Sequence, residues 1–167
     1  DVYKRQLQDL VDRTAAYRMG IVLLARHPVI ELGREQLINV WVSPQGPDWK
    51  LDLRQSNLDL AILLAFKLAK NWNGRINLCM SVEDREKKIA AESYLNTLRI
   101  FARLPANTGI MVWQDSFAAA LQRAPRADLS SFGLPRDPDL AFSQRVVEMV
   151  DGSCIFVRDS GDESALA

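Results

Sequence analysis

The chain has one histidine and two cysteines in 167 residues, and no glycine-rich phosphate loop. His27, Cys79 and Cys154 alone cannot assemble the usual three- or four-ligand zinc set. No spacing of acids points to a carboxylate magnesium site. Both cysteines sit far apart inside apolar runs, which suits a reducing compartment and argues against a disulfide framework. They read as small buried hydrophobes. Charge of one sign is also missing, because Lys plus Arg and Asp plus Glu each total 21. A nucleic-acid partner normally demands a basic excess, so none is expected. No apolar run approaches the roughly 20 residues that cross a bilayer. The longest, residues 60–66, reads as a helix core, so direct membrane insertion by this chain is not expected.

Sequence signatures of catalysis are equally scarce. Gly-x-Ser-x-Gly, Gly-x-Gly-x-x-Gly and Walker patterns do not occur. The nearest glycine motif is Gly133-Leu-Pro-Arg136. Its proline and its arginine side chain block the close backbone approach a phosphate cradle needs. No catalytic, cofactor-binding or metal-binding residue is therefore assigned, and the chain is not expected to be an enzyme.

What is present is a well-patterned α/β domain. Hydrophobic residues make up 48% and charged residues 25%, ordinary globular values that suit one domain. Residues 1–6 (DVYKRQ) read as a non-native N-terminal scar, residues 7–161 as a single α/β domain, and 162–167 as a frayed tail. Residues 7–17 form a weak amphipathic helix. Residues 20–25 (GIVLLA) are a buried strand, and 37–43 (LINVWVS) a second. In the second, Ile38, Val40 and Val42 share one side, with Leu37, Asn39 and Trp41 on the other. The connection 26–36 is too short for a crossover helix, so these two strands are expected to pair antiparallel.

A central helix spans 56–72, opened by Ser56 with Asp59 as a capping pair, closed by Trp72 and stopped by Gly74. It is apolar nearly all round, leaving a narrow stripe of Asp59, Lys67 and Lys70. Such a helix must be covered on more than one side, by its own sheet and neighbours or by a second copy. Residues 75–82 form the third strand, and Ser81 with Asp84 caps a helix running to about 103. Its inner stripe is Ala91, Tyr94, Leu95, Leu98, Phe101 and Ala102. Residues 108–113 are strand four, followed by a helix over 117–123 capped by Asp115 or Ser116. Residues 128–134 are strand five. Asp137 and Pro138 start a helix running to about 150, with Phe142, Val146, Met149 and Val150 inward. Gly152 ends it, and 153–158 form the last strand. Repeated strand–helix–strand units predict a three-layer sandwich: a mostly parallel sheet, one antiparallel strand from the first hairpin, and helices on both faces.

Ligands of such sheets bind beyond the carboxyl ends of the strands. There the sequence places Arg26 and His27, Ser81 and Glu83, Gln114, Asp115 and Ser116, then Gly133, Pro135 and Arg136. Arg26, His27, Asp115 and Arg136 would make a small-ligand or nucleotide site, with the arginines clasping an anion. His27 with Asp115 as a base and its orienter would serve a hydrolase or transferase, but no nucleophile accompanies them.

Three segments together carry a resemblance: MGIVLLARHP with LINVWVS; LDLAILLAFKLAKNWNGRINLCMSVED; and RADLSSFGLPRDPD with VVEMVDGSCIFVRDSGD. Their order and spacing over residues 7–161 resemble the cytoplasmic C-terminal domain of cation–chloride cotransporters. The prokaryotic relatives in the amino acid–polyamine–organocation superfamily are the most similar. The resemblance implies a fold like universal stress proteins and a regulatory, dimerising role. It implies a transmembrane transporter domain covalently attached in the full-length protein, moving chloride with sodium or potassium. It places the chain at the cytoplasmic face of the plasma membrane. The family's ion sites lie in the membrane part, so none carries over. The long phosphorylatable insertions of animal members are absent, which favours a microbial origin. A homodimer through the helix from Ser56 to Trp72 is the expected partner arrangement. The alternative is a free-standing universal-stress-type sensor of a small ligand or nucleotide.

Overall fold

Alternate residues of the central strands face two different cores, and that alternation sets the architecture. Residues 2–52 and 57–166 are described, from a computed structural model. Helix α1 (Val2–Ala16) leads into strand β1 (Ile21–Ala25) and then β2 (Leu37–Trp41). Helix α2 (Asp59–Trp72), β3 (Arg75–Val82), α3 (Arg85–Phe101) and β4 (Gly109–Gln114) follow. The chain continues through α4 (Phe117–Arg123), β5 (Leu129–Gly133), α5 (Leu140–Val150) and β6 (Cys154–Arg158).

The sheet order is β1-β6-β5-β2-β3-β4. On one face Ile38, Val40 and Val42 of the β2 segment join Ile76, Leu78 and Met80 of β3, under Ile62 and Ala65 of α2 and Leu95 and Leu98 of α3. On the other, Trp41, Cys79, Phe132 and Phe156 pack with Val11 of α1, Leu121 of α4 and Val146 of α5. The expected three layers are thus present. Aromatic rings dominate the second core, where Trp41 stacks at 5.4 Å on Trp113 and meets Phe117 edge-on at 5.5 Å. Chain direction across the sheet reverses once. From β2 through β4 the connecting helices cover one face, and from β4 through β6 they cover the other. Right-handed crossovers require that exchange of faces when the direction reverses.

One pairing differs from expectation. β1 does not form a hairpin with β2. It runs antiparallel to β6, from Ile21 opposite Arg158 to Ala25 opposite Cys154. β2 instead lies parallel between β5 and β3. The physical reason is burial on two faces: Ile38, Asn39, Val40 and Trp41 are all buried, which only a central position provides. Residues 26–36 need cover only three strand spacings, about 14 Å, to carry the chain there. The single antiparallel strand is present, but its partner comes from the far end of the chain.

Helix boundaries follow capping chemistry. Ser56 lies outside the described residues, and Asp59 is not a solvent-facing residue but is buried at 4% exposure. No side chain of the α2 N-cap residue, Leu58, accepts a bond. The acceptor comes from across the fold: Asp159 Oδ2 accepts the Asp59 N–H at 3.1 Å and Oδ1 the Leu60 N–H at 3.0 Å. Asp84 alone caps α3, accepting the Lys87 N–H at 2.8 Å, while Ser81 stays in β3. Phe101, expected inward, is exposed. Ser116 caps α4. Asp139, not Asp137, caps α5, accepting from Ala141 and Phe142. Phe142 stays half-exposed there, stacked on Phe117.

Residues 160–165 after β6 make hydrogen bonds of their own and to α2. Glu163 accepts the Ser160 and Gly161 N–H groups, and the buried Ala165 donates its N–H to Asp59 Oδ1 at 2.7 Å. Asp59 and Asp159 thus exchange services across one corner. Burial raises the Asp159 pKa, and the nearby Asp59 and Glu163 carboxylates add to the rise, against the two N–H donors. Asp159→Ala leaves the first turn of α2 without its acceptor. It is expected to cost about 1–2 kcal/mol, the range for a lost N-cap, read as a lower urea midpoint at unchanged slope.

Candidate functional site

The residues proposed as one site from sequence occupy three places. Because β1 runs antiparallel, its end lies beside the start of β6, not beside the carboxyl ends of the parallel strands. Arg26 and His27 follow it to that opposite end. His27 is a local organiser: its Nδ1 accepts the Val29 and Ile30 N–H groups, at 3.2 and 3.1 Å. A ring nitrogen accepting two N–H groups carries no proton, so Nε2 is assigned the proton and donates to Asp151 Oδ1 at 3.3 Å. The His27 N–H donates to Ser153 Oγ at 2.9 Å. Arg26 pairs with Glu31 at 3.7 Å.

Asp115 stands at the far end of the sheet, paired with Arg123 at 3.2 Å. With Ser81, Glu83 and Ser116 it lines a cleft of about 730 Å³ beyond β3 and β4. Glu83 is engaged by Lys87 at 2.8 Å. His27 and Asp115 therefore do not meet, and the base–orienter pair does not form. Neither thiol offers a substitute nucleophile. Burial pushes Cys154 up to about 12 and raises Cys79 further, so both stay protonated.

Gly133, Pro135 and Arg136 line a third place, a crevice of about 950 Å³ beyond the carboxyl ends of β2, β5 and β6. It sits where the strand order reverses between β2 and β5, the position at which open α/β sheets commonly take ligands. Arg158 belongs to its lining and was not singled out from sequence. Only its phase betrayed it: residues 154, 156 and 158 of β6 face the same core, so an arginine there points inward.

A different surface is apolar and uncovered. Val22 and Leu24 of β1 stand opposite Val157 and Ile155, whose side chains enter the α2-side core. No helix among the described residues covers them, and they are 43% and 57% exposed. α2 begins close by, since Gly20 lies 3.2 Å from Leu60 Cδ2 when given a Cβ. Leu63 and Phe66 of α2 are also apolar and each 39% exposed. Lys67 and Lys70 are exposed on the same helix. The edge strand itself carries no charge, proline or bulge of the kind that discourages pairing.

Residues 33–166 match a model of the family described as "Prokaryotic cation-chloride cotransporter, C-terminal domain, 2nd". A solved structure, "Crystal structure of the cytoplasmic domain of a prokaryotic cation chloride cotransporter", is similar at 33% identity and a TM-score of 0.88. The similarity covers 97% of this chain and 61% of that one. No curated protein matches. No helix among the described residues is long and apolar enough to cross a membrane. The family match over residues 33–166 is far more than half of the chain, and it places this protein in the family of prokaryotic cation–chloride cotransporter C-terminal domains.

Proposed function

We propose that this chain is the cytoplasmic regulatory and dimerising part of a secondary transporter that moves chloride with sodium or potassium, and that it performs no catalysis. The family match carries the reading, and the uncovered apolar face of β1 and α2 supports the dimer. Two copies meeting on that face would bury Leu63 and Phe66, the exposed part of the helix expected from sequence to dimerise. Packing across the two-fold would then bias the attached membrane domain. The separation of His27 from Asp115 removes support for an enzyme, and the dispersal of Arg26, His27 and Asp115 away from Arg136 removes it for the sensor site expected from sequence.

Sedimentation equilibrium of the wild-type chain is expected to give a dimer at tens of micromolar. Phe66→Glu should raise its dissociation constant at least tenfold, about 1.4 kcal/mol, because a charge cannot be buried unpaired at an interface. The side chain already reaches solvent in one copy, so far-UV circular dichroism should remain native. Leu63→Glu is the second variant. A wild-type monomer at that concentration would sink the dimer. In proteoliposomes the full-length transporter should take up rubidium or sodium only with chloride, and Phe66→Glu should alter that rate. Uptake independent of chloride would remove the cotransport reading.

A further inference from the structure

We infer that the crevice beyond β2, β5 and β6 binds an oxyanion of phosphate type between Arg136 and Arg158. Arg158 is only 5% exposed, yet no carboxylate among the described residues hydrogen-bonds it. Its Nη2 donates to Val11 O at 3.1 Å and to Thr14 Oγ1 at 2.7 Å, both neutral acceptors on α1. Its Nη1 is buried with no hydrogen-bond partner among the described residues. A buried guanidinium with one nitrogen unsatisfied and no bonded counter-charge is costly, and proteins seldom keep one without a use. Arg136 aggravates the problem. It lines the same crevice and lies near enough that its charge, after burial, is the next cause lowering the Arg158 pKa. Asp12 opposes this only weakly, as the smallest of the three influences.

Two like charges kept together across an open crevice call for an anion that both can hold. The acids of the rim do not fill that role. Asp139 is engaged by the Ala141 and Phe142 N–H groups and by Arg145 at 3.6 Å. Asp159 is engaged by the first turn of α2. Asp137 lines the crevice next to Arg136 in sequence, without a bond to it, and adds negative charge there. Space is available as well, since a Cβ on Gly133 meets nothing nearer than Asn57 Nδ2 at 3.9 Å. Tetrahedral oxyanions match guanidinium forks, and about 950 Å³ leaves room for a larger group attached to one. Strand β6 thus ends in a receptor for negative charge at the sheet's switch point.

Thermal denaturation of the chain with inorganic phosphate, at ionic strength matched by potassium chloride, tests this. A saturable rise in Tm is expected with phosphate beyond that with chloride. Arg136→Gln should cut phosphate affinity at least tenfold, while the unliganded Tm holds or rises slightly as the like charge is removed. Asp137→Asn should tighten binding several-fold by removing a negative charge from the crevice lining. Arg158→Gln should abolish the shift, and Arg136→Gln keeps the test valid should that variant fail to fold. Repeating the series with adenosine monophosphate separates the sources of the oxyanion: tighter binding than phosphate assigns the site to a nucleotide's phosphoryl group, and equal binding to the free anion. Equal shifts with phosphate and chloride, or a shift unaltered by Arg136→Gln, would overturn the site.

Discussion

Gly74→Ala is expected to destabilise the protein by about 2–3 kcal/mol, toward the upper range for forcing an extra carbon into a packed site. The residue that ends α2 in the left-handed conformation is Asn73, at φ 51°, so the value of Gly74 lies in close approach. A Cβ on Gly74 would lie 2.6 Å from the carbonyl oxygen of Gln36 and 3.0 Å from its carbon. That contact is backbone, so no side chain can swing away. The same oxygen accepts the Arg75 N–H at 2.7 Å, just before the β2–β3 ladder begins. Moving Gln36 would therefore open the start of the central strand pair. Urea denaturation should show the loss as a lower midpoint at unchanged slope, with Tm falling by about 4–12 °C for a chain of this size. A change below about 0.5 kcal/mol would mean that the loop before β2 yields freely.

That loop should not yield, because Asp128 holds it. Its Oδ1 accepts the Arg34 N–H and its Oδ2 the Gln36 and Leu37 N–H groups, each at 2.9 Å. Asp128→Ala removes all three acceptors at once. Charge-assisted bonds of this kind are individually strong, but the site is half-exposed and water recovers part of the loss. A net cost of about 2–3 kcal/mol is expected. Gly33, at φ +58°, makes the clamp possible, since a Cβ there would stand 2.2 Å from Asp128 Oδ1.

The pH dependence has a defined sign. Partial burial is the largest single influence and raises the Asp128 pKa, but the three N–H donors and the Arg34 charge together outweigh it. The folded pKa is therefore depressed. The stability Asp128 contributes is fully present above the ordinary carboxylate pKa of about 3.9 and is lost as pH falls through the lower folded value. The stability gap between wild type and Asp128→Asn should stay flat from pH 7 to about 5 and narrow below about pH 4. The two substitutions should also couple: with Asp128 gone, Gln36 can retreat, so Gly74→Ala should cost less in Asp128→Ala than in wild type. Strict additivity would show that the contact and the clamp act independently.

Local pattern made most elements legible. The side assignment of β2 holds because Ile38, Val40 and Val42 enter one core and Trp41 the other, a consequence of period two alone. The stripe of Ala91, Tyr94, Leu95 and Leu98 holds for the same kind of reason in α3. What escaped was decided by residues distant in sequence. β1 looked like the partner of β2 because loop length is local, whereas its true partner lies more than a hundred residues on. Asp59 looked solvent-facing because its acceptor role serves Ala165. His27 and Asp115 looked like companions only while β1 was taken to point the same way as its neighbours. In the crevice, Arg136 was visible from its place after β5. Arg158 was not, because a strand-ending arginine reads as solvated until its neighbours bury it.

The antiparallel rung between Ile21 and Arg158 has a mechanical consequence. The chain enters β1 at Ile21 and leaves β6 at Arg158, side by side on one edge of the sheet. Once α1 and the segment after β6 have let go of their own contacts, tension between the two flanks falls on a single rung at a time, peeling the pair open like a zipper. The parallel ladders behind it would have to slide all their bonds together. This edge is more compliant than the parallel ladders, so a pull that has freed both flanks would open it while the centre of the sheet stays paired.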